Sequence, residues 1–475
     1  MASRPNILLI LIDDLGARDL GCYGSTFYET PHLDALAAEG MTFSRAYASA
    51  PVCSPTRASI LSGKYPARIG LTQYIAGRNE GRLLDVPYLH YLPLEETTIA
   101  TALRQGGYQT WHVGKWHLGD EQFQPQHHGF DVNIAGSHLG LPPTFFSPYR
   151  MPMLNDGPAG EYLTDRLTDE ALALIRRRDR KRPFFLNLWH YAVHIPIQAP
   201  AALIEKYRRK AAALGLDRLP AIVDGEEMPR LPAPGRQPER IRRRLVQSDP
   251  HYAAMIENLD WNIGRLLAAL QQEGLTGDTL VIFTSDNGGL STSEGSPTSN
   301  LPLAEGKGWS REGGTRVCQL VRWPGVIPAD SRCDVPVTST DFYPTILEAA
   351  ALPLRPQQHP DGISLMPLLR GGAAPRRQAI YWHFPHYSNQ GDAPSGSVIE
   401  GNWKLIEHFE DQRLELFDLS QDISETRDLS RAQPDRAARL HGMLKAWRTE
   451  VAARMPSPNP DYERRRPRVS NNATQ

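Results

Sequence analysis

The stretch of this chain richest in possible chemistry is Pro51-Val52-Cys53-Ser54-Pro55-Thr56-Arg57-Ala58-Ser59-Ile60-Leu61-Ser62-Gly63. Ser54 followed by Pro55 predicts an N-cap and a first helical residue, with Gly63 as the stop. Cys53 then lies at the mouth of a short helix, where free N–H groups and the helix dipole favour an anion. Arg57 falls within the first turn and adds a full positive charge with a planar donor fork. A lone cysteine is most often a small buried hydrophobe, but this one has an anion cradle and an arginine beside it. Two adjacent pairs, Asp13-Asp14 and Asp286-Asn287, offer oxygen ligands, which suit a hard cation such as Ca²⁺. Adjacent carboxylates repel each other unless a cation lies between them. Lys115, Lys307, His117 and His194 add positive charge and proton-transfer groups, the equipment for stabilising charge on a small oxyanion during displacement.

The elements that must position these groups are strands. Asn6–Ile12 is apolar without alternation, as in a strand buried on both faces of a parallel sheet, and it ends in Asp13-Asp14. Tyr108–Val113 runs into Gly114-Lys115-Trp116-His117, Phe184–Trp189 leads to His194, and Thr279–Thr284 delivers Asp286-Asn287. Helices are predicted from Thr30-Pro31, at Thr98–Gln105, at Tyr162–Arg177 and at His251–Gln272, the last with Met255, Leu259, Ile263 and Leu266 on one face. Alternating strands and helices predict an α/β fold with a large, mostly parallel sheet sandwiched by helices. Such sheets bind ligands beyond the carboxyl ends of their strands. Beyond about residue 355 the pattern changes. Strand-like runs near Ile380, Ser397, Trp403 and Leu414 come without intervening helices, and predict a smaller antiparallel sheet followed by a helix from about Pro434.

Composition bounds the alternatives. Lys plus Arg (52) nearly equals Asp plus Glu (53), so bulk charge predicts no attraction to nucleic acid or membrane surface. No apolar run approaches membrane-spanning length. The four cysteines, Cys22, Cys53, Cys318 and Cys333, are too few for a disulfide framework in 475 residues, although a Cys318–Cys333 bridge is open. No Cys-x-x-Cys pairing predicts zinc. Ile7–Ile12 is too short for a signal peptide and ends in two aspartates, so the chain as written is expected in the cytoplasm, or in the periplasm or outside the cell if a leader was removed. The basic, Pro-rich stretch from Ala199 to Pro250, with Arg240-Ile241-Arg242-Arg243-Arg244, reads as a solvated face. Oligomeric state is not readable.

The pattern Cys-x-Pro-x-Arg at 53–57, continued by Ala-Ser-Ile-Leu-Ser-Gly-Lys-Tyr-Pro to Pro66, resembles the signature of the type I sulfatases of the alkaline phosphatase superfamily. The resemblance runs from Asn6 to about Leu429, with a matching motif at each strand end. It agrees with the change of pattern in dividing the chain into a catalytic domain over 1–355 and an antiparallel-sheet subdomain over 356–455, and the polar, Arg-rich end predicts a disordered tail over 456–475. The resemblance also implies an arylsulfatase-like sulfuric ester hydrolase in which a formylglycine-generating enzyme oxidises Cys53 to formylglycine. Asp13, Asp14, Asp286 and Asn287, with modified Cys53, then resemble the ligands of one Ca²⁺. Arg57 and Lys115 resemble the groups holding formylglycine and sulfate, His117 the base that releases sulfate, and His194 and Lys307 the pair at the leaving oxygen, with His194 its proton donor. The implied substrate is a sulfated small molecule or glycan, and a carbohydrate is favoured by the run from Tyr191 to Pro200. His138 and the segment Trp382-His383-Phe384-Pro385-His386-Tyr387 offer rings and donors for sugar hydroxyls, with His386 expected to reach a sugar if the 383–396 loop covers the cleft. Two other readings use the same residues: a phosphonate monoester hydrolase or phosphodiesterase of the same superfamily, and a catalytically silent, calcium-dependent glycan-binding protein.

Overall fold

The computed structural model describes residues 4–233 and 235–465. Its strands are β1 (Asn6–Ile12), β2 (Met41–Tyr47), β3 (Gln109–Gly114), β4 (Val132–Ile134), β5 (Phe184–Trp189), β6 (Ile222–Glu227), β7 (Arg240–Arg244), β8 (Thr279–Ser285), β9 (Arg316–Arg322), β10 (Ser331–Cys333) and β11 (Val337–Thr338), then β12 (Ile380–Phe384), β13 (Ser395–Glu400), β14 (Trp403–His408) and β15 (Leu414–Asp418). The large sheet runs β10-β2-β9-β8-β1-β5-β3-β4, with β11 also on β2. β1 lies at its centre, parallel to β5 on one side and β8 on the other. Only β9 runs against its neighbours β2 and β8, so the expected mostly parallel sheet is present with one reversed strand.

The apolar run of β1 is divided by the pleat, whose period of two sends alternate side chains to opposite faces. Leu8, Ile10 and Ile12 pack in one core with Tyr252, Met255, Leu259, Ile263 and Leu266 of the helix Pro250–Gln272 and with Leu163–Arg177. Ile7, Leu9 and Leu11 pack in the other with the helices Cys53–Ser62, Ile99–Gln105 and Phe342–Ala349. Asp249 caps the 23-residue helix by accepting from the His251 and Tyr252 N–H groups. Cys318 lies in the first core and Cys333 in the second, so the sheet itself separates them, and all four cysteines are free.

The stretch read as a solvated basic face is folded: the helix Ala201–Ala213 packs on Pro250–Gln272, and β6 and β7 form an antiparallel hairpin. Leu365, Met366, Leu368 and Leu369 still belong to the core of the large sheet, so the chain crosses to the second sheet after them rather than at 355. That sheet, β12-β13-β14-β15, is antiparallel and carries the helix Pro434–Glu450. Lys404 of β14 joins the two units: its fully buried Nζ donates to Glu312 Oε1 at 3.1 Å and lies 3.0 Å from Glu425 Oε1. Residues 456–465, expected in a disordered tail, instead dock on the 80s loop, where Pro458 pairs with Leu83 and the Asn459 N–H donates to the Arg82 carbonyl. The rest of that tail, 466–475, lies outside the described residues. No helix among the described residues is long and apolar enough to cross a membrane.

Candidate active site

Backbone bonds beyond the strand ends gather the site. The Asp13 N–H donates to the Ala192 carbonyl at 3.0 Å and the Val193 N–H to the Asp13 carbonyl at 2.7 Å. Those bonds bring the β1 exit beside His194. The Lys307 N–H donates to the Gly289 carbonyl and the Gly308 N–H to that of Pro51, fastening the Lys307 loop between the β8 exit and the Cys53 helix.

Cys53 is the first residue of its helix, two positions earlier than predicted. Extended Val52 is the cap, and Ser54 lies inside the first turn. Ser54 Oγ instead accepts from the Ile75 N–H at 3.2 Å, tying the 70s loop to the helix. Cys53 therefore remains at the positive end of the helix. Burial pushes its thiol pKa up, with Asp13 and Asp286 acting in the same direction against Lys115 and Lys307. The group is a neutral thiol and so a poor nucleophile.

Arg57 is fully buried. Its Nε donates to Asp286 Oδ2 at 2.8 Å, its Nη1 donates to the Lys115 carbonyl at 3.0 Å, and its guanidinium stacks on Trp189. A charge with no solvent requires this many partners, because desolvation would otherwise disfavour it. Lys115 Nζ donates to Asp13 Oδ2 at 2.7 Å. The other Asp13 oxygen, Oδ1, lies 3.7 Å from Arg57 Nη2 and has no hydrogen-bond partner. Asp14 has φ 63°, a left-handed conformation that is uncommon outside glycine but better tolerated by Asp. Its Oδ1 accepts from Asn287 Nδ2 at 2.8 Å and its Oδ2 from Lys307 Nζ at 2.8 Å. Asn287 Oδ1 is buried without a donor.

Burial pushes Asp13 up to about 8, helped by Asp286 and Asp14 and opposed by Lys115 and Arg57. Burial would also raise Asp14, but Lys307, His194 and Asn287 outweigh it and hold that carboxyl well below the usual range. Three buried carboxylates and an amide, two of whose oxygens have no donor, fit a hard divalent cation. Asp13, Asp14 and His194 each bring a ligand atom within 4.8 Å of the others. His194, however, is already turned to Lys307.

Two histidines face the space above residue 53. His117 Nδ1 lies 3.3 Å from Cys53 Sγ. Its residue is held in the left-handed region at φ 56°, and a Cβ at Gly140 would sit 2.6 Å from its ring, so only glycine leaves room there. Burial, then Lys115 and Arg57, push the His117 pKa well down, leaving it neutral. The His194 Nδ1–H donates to the Ile195 carbonyl at 2.9 Å, so its Nε2 accepts from Lys307 Nζ, also at 2.9 Å. Burial and the Lys307 charge lower His194 to about 3, while Asp14 holds Lys307 well above its ordinary value. The proton that the sequence reading put on His194 rests on Lys307.

Above these groups opens a cleft of about 450 Å³. Cys53, His117, His194 and Lys307 line it, and exposed His138 stands at its edge. His386 does not line it. That ring is 1 % exposed, with Nδ1 bonded to Asp85 Oδ1 at 2.6 Å and Nε2 to Thr72 Oγ1 at 2.8 Å, so both nitrogens are used and it cannot meet a sugar. Its neighbours are also structural. Trp382 Nε1 donates to the Ala48 carbonyl, His383 pairs with the Arg454 carbonyl, and Tyr387 bonds Glu410. The 383–396 loop does reach the cleft, through Asn389 and Gln390. Tyr74, Ile75, Leu139, Leu141 and Glu294 complete the walls and were not foreseen. The nearest signals were the Gly- and Tyr-rich composition of residues 72–93 and the length of the 120–160 loop, both of which mark functional loops without naming a side chain.

The sequence profile of the Sulfatase family matches residues 5–352, and the profile described as N-sulphoglucosamine sulphohydrolase, C-terminal, matches residues 306–450. A steryl-sulfatase of Mus musculus is 32% identical, the alignment covering 96% of this chain and 83% of the relative. An N-acetylgalactosamine-6-sulfatase of Canis lupus familiaris is also 32% identical, over 80% of this chain and 68% of the relative. The crystal structure of Ps i-CgsB in complex with k-i-k-neocarrahexaose superposes with a TM-score of 0.74 at 28% identity, covering 94% of this chain and 93% of that one. Sulfatases as a family use formylglycine and a divalent metal. With the family profile spanning the whole large sheet, and relatives of 32% identity aligned over 80–96% of the chain, this chain belongs to the sulfatase family of the alkaline phosphatase-like superfamily and is a sulfuric ester hydrolase.

Proposed function

We propose that the protein removes sulfate from a sulfated carbohydrate, with residue 53 as formylglycine and one Ca²⁺ held by Asp13, Asp14, Asp286, Asn287 and residue 53. The observation that carries this reading is the convergence at residue 53. A helix N-terminus and a neutral histidine at 3.3 Å meet at the floor of one cleft, and two donorless buried oxygens belong to the strand ends behind it. When bound, the cation supplies Lewis-acid charge, and the hydrated aldehyde supplies a hydroxyl nucleophile that a protonated thiol cannot.

The remaining roles fall to the side chains. Arg57 and Lys115 keep Asp13 and Asp286 paired and put positive charge behind the sulfate position. His117 Nδ1 takes the proton at residue 53 whose removal lets sulfate leave. Lys307 balances charge at the leaving oxygen, and His194, its hydrogen-bond partner, stands beside it there. Maturation requires a formylglycine-generating enzyme as a partner. The units act together, the large sheet holding this machinery and the 385–394 loop of the second sheet forming part of the cleft wall.

A sugar is favoured over a sterol by the cleft rather than by identity, since the steryl- and N-acetylgalactosamine-sulfatases are equally similar. Tyr74, His138, Glu294, Asn389 and Gln390 line it with hydrogen-bonding side chains, which suits hydroxyls. The test is kcat/KM of the formylglycine-bearing enzyme on monosulfated galactose and N-acetylgalactosamine, on 4-nitrophenyl sulfate and on bis-4-nitrophenyl phosphate. The sulfated sugars should lead and the phosphodiester should trail. A phosphodiester preferred by about a hundredfold would replace this reading with the phosphodiesterase one. Sugar binding without turnover of any ester would replace it with the silent glycan binder.

A further inference from the structure

The cleft carries one charged side chain that the hydrolysis itself does not use. Among the described residues lining it, the cation is Lys307, and that ammonium is engaged by Asp14 and His194. Glu294 is exposed and forms no part of the Lys307–Asp14 ion pair, although its charge is felt at Lys307. It lies where the cleft meets a second hollow of about 350 Å³ beneath the β6–β7 hairpin, and it lines both. A ligand extending past the reacting centre on that side passes over Glu294.

The turn that presents it is held against its conformational preference. Ser293, Glu294 and Ser296 all have positive φ (54°, 43° and 41°), around Gly295 at 94°. Such strain persists only where surroundings impose it. Here the Ser293 N–H and Ser296 Oγ both donate to the Arg242 carbonyl of β7, and the Arg244 N–H donates to the Ser291 carbonyl. A second acceptor lies behind the first. Gln390, 2 % exposed, donates from Nε2 to Glu294 Oε2 at 2.6 Å, and Trp309 Nε1 donates to the Gln390 carbonyl at 3.1 Å. The carboxylate requires the amide nitrogen on its side, so Gln390 Oε1 is left buried with no donor. A buried acceptor without a donor is unfavourable until a ligand supplies one.

At the junction of the two spaces Glu294 Oε2 and Gln390 Oε1 are acceptors, and Arg240 and Arg242 line the second hollow beyond them. We propose that Glu294, with Gln390 behind it, selects the sugar: it takes a hydroxyl or ammonium donor near the scissile ester and rejects a second sulfate or a carboxylate there. The inference rests on the carbohydrate reading above and narrows it to singly charged sugars. Selection by an unfavourable like-charge contact needs no new attraction to the preferred ligand. Because the carboxylate is exposed and screened, the discrimination is modest, about tenfold at low salt.

Binding is measured calorimetrically on full-length Cys53→Ala protein with Ca²⁺, using N-acetylgalactosamine 6-sulfate and N-acetylgalactosamine 4,6-disulfate. The monosulfate should bind about tenfold more tightly. Adding Glu294→Gln should bring the ratio close to one by strengthening disulfate binding, whereas Glu294→Asp should keep most of the preference. Raising the salt should narrow the ratio in the protein with Glu294 intact, a readout that needs no folded variant. An unchanged ratio in Glu294→Gln, or tighter binding of the disulfate when Glu294 is present, overturns this inference alone. Failure of both sugars to bind, with 4-nitrophenyl sulfate still hydrolysed by the formylglycine form, overturns the carbohydrate reading and this inference with it.

Discussion

The floor and the wall of the cleft are built by opposite means. The floor is charged, dry and interlocked: Asp13, Asp14, Asp286, Arg57 and Lys115 are at most 1 % exposed, and every charge touches one of opposite sign. The wall mixes apolar Ile75, Leu139 and Leu141 with neutral amides, a tyrosine, a histidine and one carboxylate, carried on loops and partly open to solvent. In the floor, removing one member strands the others in a low-dielectric interior. In the wall, water can replace a lost partner. The floor therefore decides whether chemistry occurs and how stable the protein is, and the wall decides on what.

The largest break in this contrast is Arg57→Ala. It leaves Asp286 and Asp13 short of a buried cation, so stability should fall by about 3–5 kcal/mol and activity should be lost. Denaturant unfolding of the two proteins measures the first part. A loss below about 1 kcal/mol would mean that the floor behaves like a surface ion pair.

Removing the cation is the next test. Chelation should abolish turnover and lower the melting temperature, because a ligand bound only by the native state stabilises it. Ca²⁺ should restore both better than Zn²⁺, given an all-oxygen donor set. Zinc restoring activity better than calcium would point to a phosphatase-like centre.

The strands supporting the floor give a pH signature. His190 is fully buried just beyond β5, has neither ring nitrogen bonded, and is lowered to about 3 by burial. Between that value and the ordinary 6.5, the unfolded chain binds a proton that the native state does not, so stability rises with pH there. It should be fully present above pH 6.5 and should erode as pH falls toward 3, by at most about 1.4 kcal/mol per pH unit from this one group. His190→Leu should flatten that acid slope in unfolding curves. A slope identical to that of the parent would show that His190 does not titrate on unfolding.

The smallest effect sharpens the wall. His138→Ala should weaken sugar turnover by about threefold to tenfold more than 4-nitrophenyl sulfate turnover. His386→Ala should lower both equally and reduce stability, because it removes the partner of Asp85 and Thr72 from a packed site. Equal losses on both substrates for His138→Ala would remove it from sugar recognition.

Legibility in the sequence follows the same division. Floor residues lie at or just past the ends of apolar strands, so Asp13-Asp14 and Asp286-Asn287 are announced by the runs of β1 and β8 that precede them. The two-sheet α/β architecture was readable for the same reason, from the period of those runs. Wall residues come from positions 74, 138–141, 294 and 389–390, which lie in loops without periodicity, and of these only His138 was singled out from the sequence. His386 was misread because an aromatic-rich run looks alike whether it lines a cleft or packs a core, and Trp382 and Phe384 of β12 do the latter. Arg240–Arg244 read as solvated because charge hides strand pairing, which is a backbone property. In its pairing with Ile222–Glu227, Arg242 lies opposite Asp224 and Arg240 opposite Glu227.

The central claim, that chemistry here belongs to an oxidised residue 53 and not to a thiol, is tested most directly by one paired measurement. Mass spectrometry of the peptide containing Cys53 gives the fraction present as formylglycine, and the sulfatase rate is taken on the same samples. Preparations made with and without a formylglycine-generating enzyme provide the range. The account predicts a rate proportional to the aldehyde fraction and extrapolating to zero for pure thiol. Full activity in protein whose Cys53 is wholly thiol would contradict it.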